Sequence, residues 1–366
     1  MSIADKLTLL INTKQDIKSA ISEKGVEVTG GMTTYADAIR RIETGGGGGS
    51  ISSIDIPVGL KFAYSTISEL PQLNLGYGYE DGSYMFYNCR NLMRIEDINS
   101  KEGSYLTNTS NMFTRCWKLK SLPLLDTSNV NNMEFMFSGC QSLTTIPQLD
   151  TSNVTNMSTM FYDCASLTTI PLLDTSNVTN MHSMFDGCKL LTTIPLLDTS
   201  NVNTMYGMFL GCISLTTIPL LNTSNVNDMG YMFVDCSLLT TIPQLDTSNV
   251  TNMSYMFTRC LKLKSLPLLD ASNVTNISYM FGDTNVTLTL LTDLGGFKNL
   301  KVSFLYGLNH LPNLTVQSLM NVINNLYDFV GNGSTTTRTL QLGTTNLNKL
   351  TEEQKAVATN KGWVLE

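Results

Sequence analysis

Apolar residues recur along this chain in a fixed phase. One segment reads Val154, Met157, Met160, Phe161, Cys164, Leu167, Ile170, Leu173, and the same order returns as Val178, Met181, Met184, Phe185, Cys188, Leu191, Ile194, Leu197. The phase is 24 residues, and Asp126, Asp150, Asp174, Asp198, Asn222, Asp246 and Asp270 open successive units. A period of this length predicts a solenoid, in which each unit buries its apolar face only against its neighbours.

Within a unit, Val154, Met157, Phe161 and Cys164 fall at i, i+3, i+7 and i+10, the spacing of one helical face. Asp150-Thr151-Ser152 before them predicts a helix cap. Leu-Thr-Thr-Ile-Pro after them predicts a short strand, closed by Pro171, which has no N–H to donate. Stacked units would then form an α/β repeat, with a short parallel strand ladder on one side and helical turns on the other. Strands in such a ladder sit about 4.8 Å apart.

The ends depart from the repeat. Residues 2–24 predict an amphipathic helix with the apolar stripe Leu7, Leu10, Ile11, Ile17 and Ile21, ended by Gly25. A second short helix is expected from Thr34, then a flexible linker from Gly45 to Ser50. The chain thus divides into a small helical attachment segment (1–44), a linker (45–50), a solenoid (51–295) and a C-terminal capping region (296–366). In the last, a helix is expected over Val316–Phe329, a strand over Thr339–Leu342, and a helix after Thr351. A solenoid needs such a layer to cover its open core. The front segment is too short to bury much core alone, so it is expected to dock onto another protein or self-associate through its stripe.

Composition narrows the functional classes. Charged residues make up only 14% of the chain and the net charge is −7, which disfavours a nucleic-acid partner. No apolar run is long enough for a membrane-spanning helix. The first residues, MSIADKLTLL, do not read as a secretory signal. Cysteines stand once per unit at 89, 116, 140, 164, 188, 212, 236 and 260. Metal sites pair cysteines a few residues apart, so the spacing favours a column of buried thiols over disulfides or metal. The aspartate row reads as a set of caps, with a calcium ladder as the sharper alternative. No cofactor is expected.

Slots that vary among otherwise fixed units should face outward. Tyr231, Tyr255 and Tyr279 share one such slot and predict an exposed aromatic row, suited to sugar faces or protein hot spots unless the rings simply pack on each other. Thr145, Thr169, Thr193, Thr217 and Thr241 form a hydroxyl column that could bind a glycan or merely solvate a sheet. Two near-identical segments, FTRCWKLKSLPLLD and FTRCLKLKSLPLLD, place Arg115, Lys118 and Lys120, then Arg259, Lys262 and Lys264, far apart in the chain. The histidines, His182 and His310, have no nucleophile and orienting acid near them in sequence, and Asp163, Asp186 and Asp235 share slots with glycine. Catalysis is not expected.

The stretch LDTSNVTNMSYMFTRCLKLKSL resembles the BspA-like leucine-rich repeats of bacterial surface proteins, over roughly residues 60 to 295. That resemblance implies a leucine-rich-repeat solenoid that adheres to proteins or cell surfaces. The front segment resembles the opening of bacteriophage tail and appendage proteins, through Lys14, Asp16, Ile17, Ala20, Ile21, Lys24, Gly25 and Val26, then Tyr35, Ala36, Asp37, Ile39 and Ile42. It implies attachment to a virion. Together they lead to an expectation of a non-enzymatic virion appendage. Its front segment would contact other virion proteins and its solenoid a host-surface protein or glycan, as a homo-oligomer. A bacterial cell-surface adhesin is the alternative.

Overall fold

The computed structural model describes residues 53–56, 58–59, 61–65, 67–100, 105–282, 287–304 and 307–366. The expected front helices, the stripe Leu7, Leu10, Ile11, Ile17 and Ile21, and the glycine linker lie outside the described residues. The chain divides into two compact units, Met1–Leu167 and Thr168–Glu366, and the division falls inside the repeat run.

The first unit opens on a parallel sheet of β1 (Ser53–Ile56), β2 (Glu69–Leu75) and β3 (Arg94–Ser100), in that spatial order. Its register sets Ile56 beside Leu75 and Leu73 beside Ile98, all buried. Beyond β3 the regular coils begin, and between residues 105 and 264 the described residues contain neither helix nor strand. The helical turns expected there are replaced by linked tight turns.

One coil shows how. Met133, Phe135, Phe137 and Gly139 each donate their N–H to the next coil, to the carbonyls of Asn156 (3.0 Å), Ser158 (3.1 Å), Met160 (3.0 Å) and Tyr162 (2.6 Å). The residues between them bond backward instead: Met136 N–H to Met133 O (3.1 Å), Ser138 to Phe135 (3.0 Å), Cys140 to Phe137 (3.0 Å). Alternation of this kind needs left-handed backbone, and Phe135 (φ 56°) and Gly139 (φ 74°) supply it. The apolar spacing of three and four is kept, so Met133, Met136, Phe137 and Cys140 are all buried. Linked turns and a helix share that spacing; they differ in where the N–H groups go.

The second unit repeats the device. Phe209 donates to Met232 (3.0 Å) and Phe233 to Met256 (3.0 Å), while Gly207 (φ 59°), Gly211 (φ 69°), Tyr231 (φ 59°) and Asp235 (φ 59°) take the left-handed positions. The parallel ladder therefore lies on the face where helix was expected. The Leu-Thr-Thr-Ile-Pro face carries far less backbone pairing: Thr216 N–H to Thr192 O at 3.2 Å, Thr240 to Thr216 at 3.4 Å, Lys264 to Thr240 at 2.9 Å. Pro195, Pro219 and Pro243 lack donors there. Among the described residues of the second unit, short strands form on this face toward its end, where β4 (Ser265–Leu266) pairs β6 (Asp293–Leu294) and β5 (Leu269–Asp270) pairs β7 (Phe297–Lys298).

The Asp-Thr-Ser-Asn stretch caps no helix, because none follows. Each residue has its own task in the coil. Asp198 Oδ1 accepts the Ser200 N–H (2.9 Å), closing a local side-chain turn, and Asp150 does the same for Ser152 (3.0 Å). The buried Thr175 hydroxyl donates to Asp198 O of the next coil (2.8 Å). The Asn225 amide donates back to Ser200 O (2.6 Å). These bonds recur coil after coil and fix the stacking register.

The core of each unit is a pile of rings and sulfurs. Phe86, Phe113, Phe137 and Phe161 stack in the first unit at 5.1, 5.8 and 5.7 Å; Phe185, Phe209, Phe233 and Phe257 do so in the second at 5.7, 5.7 and 5.6 Å. All eight cysteines are buried, as the spacing predicts. Their thiols sit under phenylalanine carbonyls: Cys140 Sγ donates to Phe113 O (3.2 Å) and Cys236 Sγ to Phe209 O (3.1 Å). Burial pushes the Cys140 and Cys236 thiols well above the ordinary range.

The capping region closes the second unit. Phe281 of the last coil meets Phe297 and Phe304 at 6.4 and 6.1 Å. Helix α1 (Val316–Asn325) is shorter than expected, stopping before Leu326 turns extended. Strand β8 (Arg338–Leu340) pairs in parallel with β9 (Trp363–Leu365). Between them lie α2 (Gly343–Leu347) and α3 (Glu352–Thr359). The Thr351 cap is borne out as a full capping box: its side chain takes the Gln354 N–H, and Gln354 reaches back to the Thr351 N–H.

Candidate binding surfaces

Tyr231, Tyr255 and Tyr279 stand at the first left-handed position of their coils, with φ near 59°. The turn there aims the side chain out of the core and across to the next coil. The rings stack, Tyr231 on Tyr255 at 4.7 Å and Tyr255 on Tyr279 at 5.0 Å, and each residue is half-buried. The pile runs further than the sequence slot suggests. Tyr206 lies 5.2 Å from Tyr231, and His182 stacks on Tyr206 at 5.1 Å with planes only 6° apart. His182 and Tyr206 come directly after Met181 and Met205, a different slot, so comparing one slot across the repeats misses them. Aromatics in neighbouring slots of neighbouring coils were the available signal.

Stacking has a chemical consequence. Faces of the inner rings lie against each other, so a sugar cannot lie on them; edges and polar tips are what face solvent. Burial raises the Tyr206 phenol above its usual value, helped by Tyr231 and Asp228 beside it. The threonine column is exposed at Thr145, Thr169, Thr193, Thr217 and Thr241. Each hydroxyl leans back to the next residue's carbonyl at 3.4 Å, a long bond that leaves it able to accept.

The acids considered for catalysis lie in surface contacts. Asp163 accepts from Gln141 Nε2 (2.7 Å), and Asp235 pairs with Arg259 (3.5 Å). His310 is buried in the capping region with its Nε2 3.2 Å from the Asn309 amide. Among the described residues no group of three or more His, Cys, Asp or Glu is placed to hold a metal ion, and no helix is long and apolar enough to cross a membrane.

With the repeat geometry established, comparison with known proteins places the chain. Residues 80–194, 166–237 and 189–294 match the family described as "Mycoplasma protein of unknown function, DUF285", and together they span more than half of the chain. The chain belongs to the DUF285 family. Among solved structures, this DUF285 chain is similar to a leucine-rich repeat protein from Eubacterium ventriosum, at 15% identity over 63% of this chain and 82% of that one, with a TM-score of 0.37. A leucine rich cell surface protein from Faecalibacterium prausnitzii matches at 18% identity over 67% and 83%, TM-score 0.30. An internalin from Listeria monocytogenes matches at 13% over 82% and 80%, TM-score 0.29. No curated protein matches the DUF285 chain.

Proposed function

We propose that this DUF285 chain is a non-enzymatic binding protein whose coils present a recognition surface, carried on a bacteriophage particle. One observation carries the binding reading. Inward slots are filled alike from coil to coil by Met, Phe, Cys and Leu, whereas the slot after each cysteine, exposed or half-buried throughout, changes: Arg90, Trp117, Gln141, Ala165, Lys189, Ile213, Ser237 and Leu261 occupy it. A frame that holds its core constant while its exterior varies suits recognition. The tyrosine pile and the threonine column are the proposed contacts for a host-surface protein or glycan.

The virion assignment rests on the resemblance of residues 14–42 to the opening of phage appendage proteins. On this reading the stripe Leu7, Leu10, Ile11, Ile17 and Ile21 meets other virion proteins, or the same stripe in further copies of this chain. The BspA-like resemblance of the repeats favours a second reading, a bacterial cell-surface adhesin. Mass spectrometry and immunogold labelling of purified particles and of cell envelopes decide between them. Incorporation into particles that is lost on deleting residues 1–44, with binding to host cells retained, supports the virion reading. Recovery in the envelope alone supports the adhesin.

A further inference from the structure

Unit one carries a cationic, aromatic patch that the tyrosine pile does not include. Arg90 and Trp117 occupy the same slot of adjacent coils, directly after Cys89 and Cys116, and both are exposed. The Arg90 guanidinium lies over the Trp117 ring, 4.2 Å from its centroid, and its Nε is held by Asn88 Oδ1 at 2.8 Å. Lys118 Nζ reaches Asn91 Oδ1 at 3.1 Å. Exposed Arg115 and Lys120 flank these groups and have no acidic partner among the described residues. The neighbouring Arg94 is already paired, with Glu69 at 3.1 Å.

The second copy of the same cassette acts as an internal control. In Arg259-Cys260-Leu261-Lys262-Leu263-Lys264, Leu261 replaces Trp117. The preceding coil offers Ser237 where the first unit has Arg90, and Asp235 where it has Asn88. Asp235 pairs with Arg259 at 3.5 Å. One cassette is thus surrounded by cation and aromatic, the other half-neutralised.

We propose that Arg90, Arg115, Trp117, Lys118 and Lys120 form a docking site for an acidic polysaccharide of the polyuronate class. Carboxylates repeating along a chain match a cluster of cations drawn from two adjacent coils, Arg90 on one and Arg115, Lys118 and Lys120 on the next. The exposed part of the Trp117 indole offers an apolar contact for one pyranose ring, while Arg90 holds one of its faces. Single-stranded nucleic acid is the weaker candidate, since base stacking calls for a series of open aromatic faces and this patch presents the single indole of Trp117. The proposal rests on the reading of the chain as a binding protein, but not on which particle or envelope carries it.

The test uses the full chain and immobilised polygalacturonate, with dextran as neutral control and an oligodeoxythymidine as competing polyanion. Retention on polygalacturonate and not on dextran, weakening as salt rises, is expected. Arg90→Ser with Lys118→Ser should weaken it about tenfold or more, and Trp117→Leu, which installs the side chain the second cassette already tolerates, by a similar factor. Arg259→Ser with Lys262→Ser should change it by less than about twofold. Retention no greater than on dextran, equal loss from both cassettes, or tighter binding of the oligonucleotide would overturn the proposal. If host cells are still bound in any of those cases, the broader binding reading stands and only this site falls.

Discussion

Tyr231 and Tyr255 stack with ring centroids 4.7 Å apart and planes at 21°, although both residues hold a left-handed backbone, φ 59° and 58°. A non-glycine residue there costs roughly 1–3 kcal/mol. Glycine occupies the same position at Gly207 without that cost. The tyrosines are therefore held where backbone preference opposes them, and each aromatic contact returns about 0.5–1.5 kcal/mol beyond area burial.

That opposition separates two substitutions. Tyr255→Ala loses both stacks and keeps the strained backbone; Tyr255→Gly loses the stacks but relieves the strain. Thermal unfolding should show the alanine variant less stable than the glycine variant by about 1 kcal/mol. The reverse order, usual for an ordinary right-handed position, would show that the left-handed turn does not govern this slot.

The thiols predict an alkaline weakness. Burial raises the folded-state value of Cys89 from 9.0 to about 12, with Cys140 and Cys236 also well above the ordinary range. Between pH 9 and 12 the unfolded chain therefore loses the Cys89 proton while the folded chain keeps it. Stability from each such thiol is fully present below pH 9 and falls as pH rises, by up to about 1.4 kcal/mol per unit. Urea unfolding at pH 8 and pH 10 should show the drop, and Cys140→Ala should shrink it. Thiol labelling of the native protein should be slow, becoming fast only in denaturant.

The Asp270 carboxylate predicts the opposite edge. Burial alone would raise its value, but Lys298 at 2.6 Å and the Ser272 hydroxyl and N–H outweigh it, and the net shift is downward. A depressed carboxylate contributes stability above its unfolded value of 3.8, and that contribution is lost as pH falls through the folded value. Asp270→Asn should move the acid-unfolding midpoint to higher pH. A shared midpoint for variant and parent would show that the Lys298 contact is idle.

Much of this was legible in the sequence, and the gaps have physical causes. The positions of Met136, Phe137 and Cys140 in the core follow from phase alone. Whether the chain between them is helical does not, because linked turns bury every third or fourth residue just as a helix does. What decides it is Phe135, whose positive φ sends alternate N–H groups to the next coil, and no residue preference announces a phenylalanine in that conformation. Half of the tyrosine pile is legible: Tyr231, Tyr255 and Tyr279 share one slot, while His182 and Tyr206 enter from the adjoining slot. Arg90 is not legible as a neighbour of Trp117 because its coil, Met85 to Met112, is longer than the regular phase and hides their alignment.

The capping region offers the sharpest test of how the solenoid end is held. Asn346 is buried and the two N–H groups of its side-chain amide are shared among three carbonyls, Leu308 O (3.0 Å), Leu311 O (3.1 Å) and Leu342 O (3.2 Å), while its Oδ1 accepts from Lys349 Nζ (3.0 Å). One side chain thus joins the 3₁₀ turn Leu308–His310 to α2. Asn346→Leu has similar bulk but leaves buried carbonyls without that donor, each at a cost of about 1–3 kcal/mol. The effect should be local, because repeat proteins couple only neighbouring layers. Hydrogen exchange on the variant should therefore speed up first around Leu308, Leu342 and α2, with the Met205–Cys212 coil still protected. Uniform acceleration across the second unit would instead mean that the cap and the coils unfold as one.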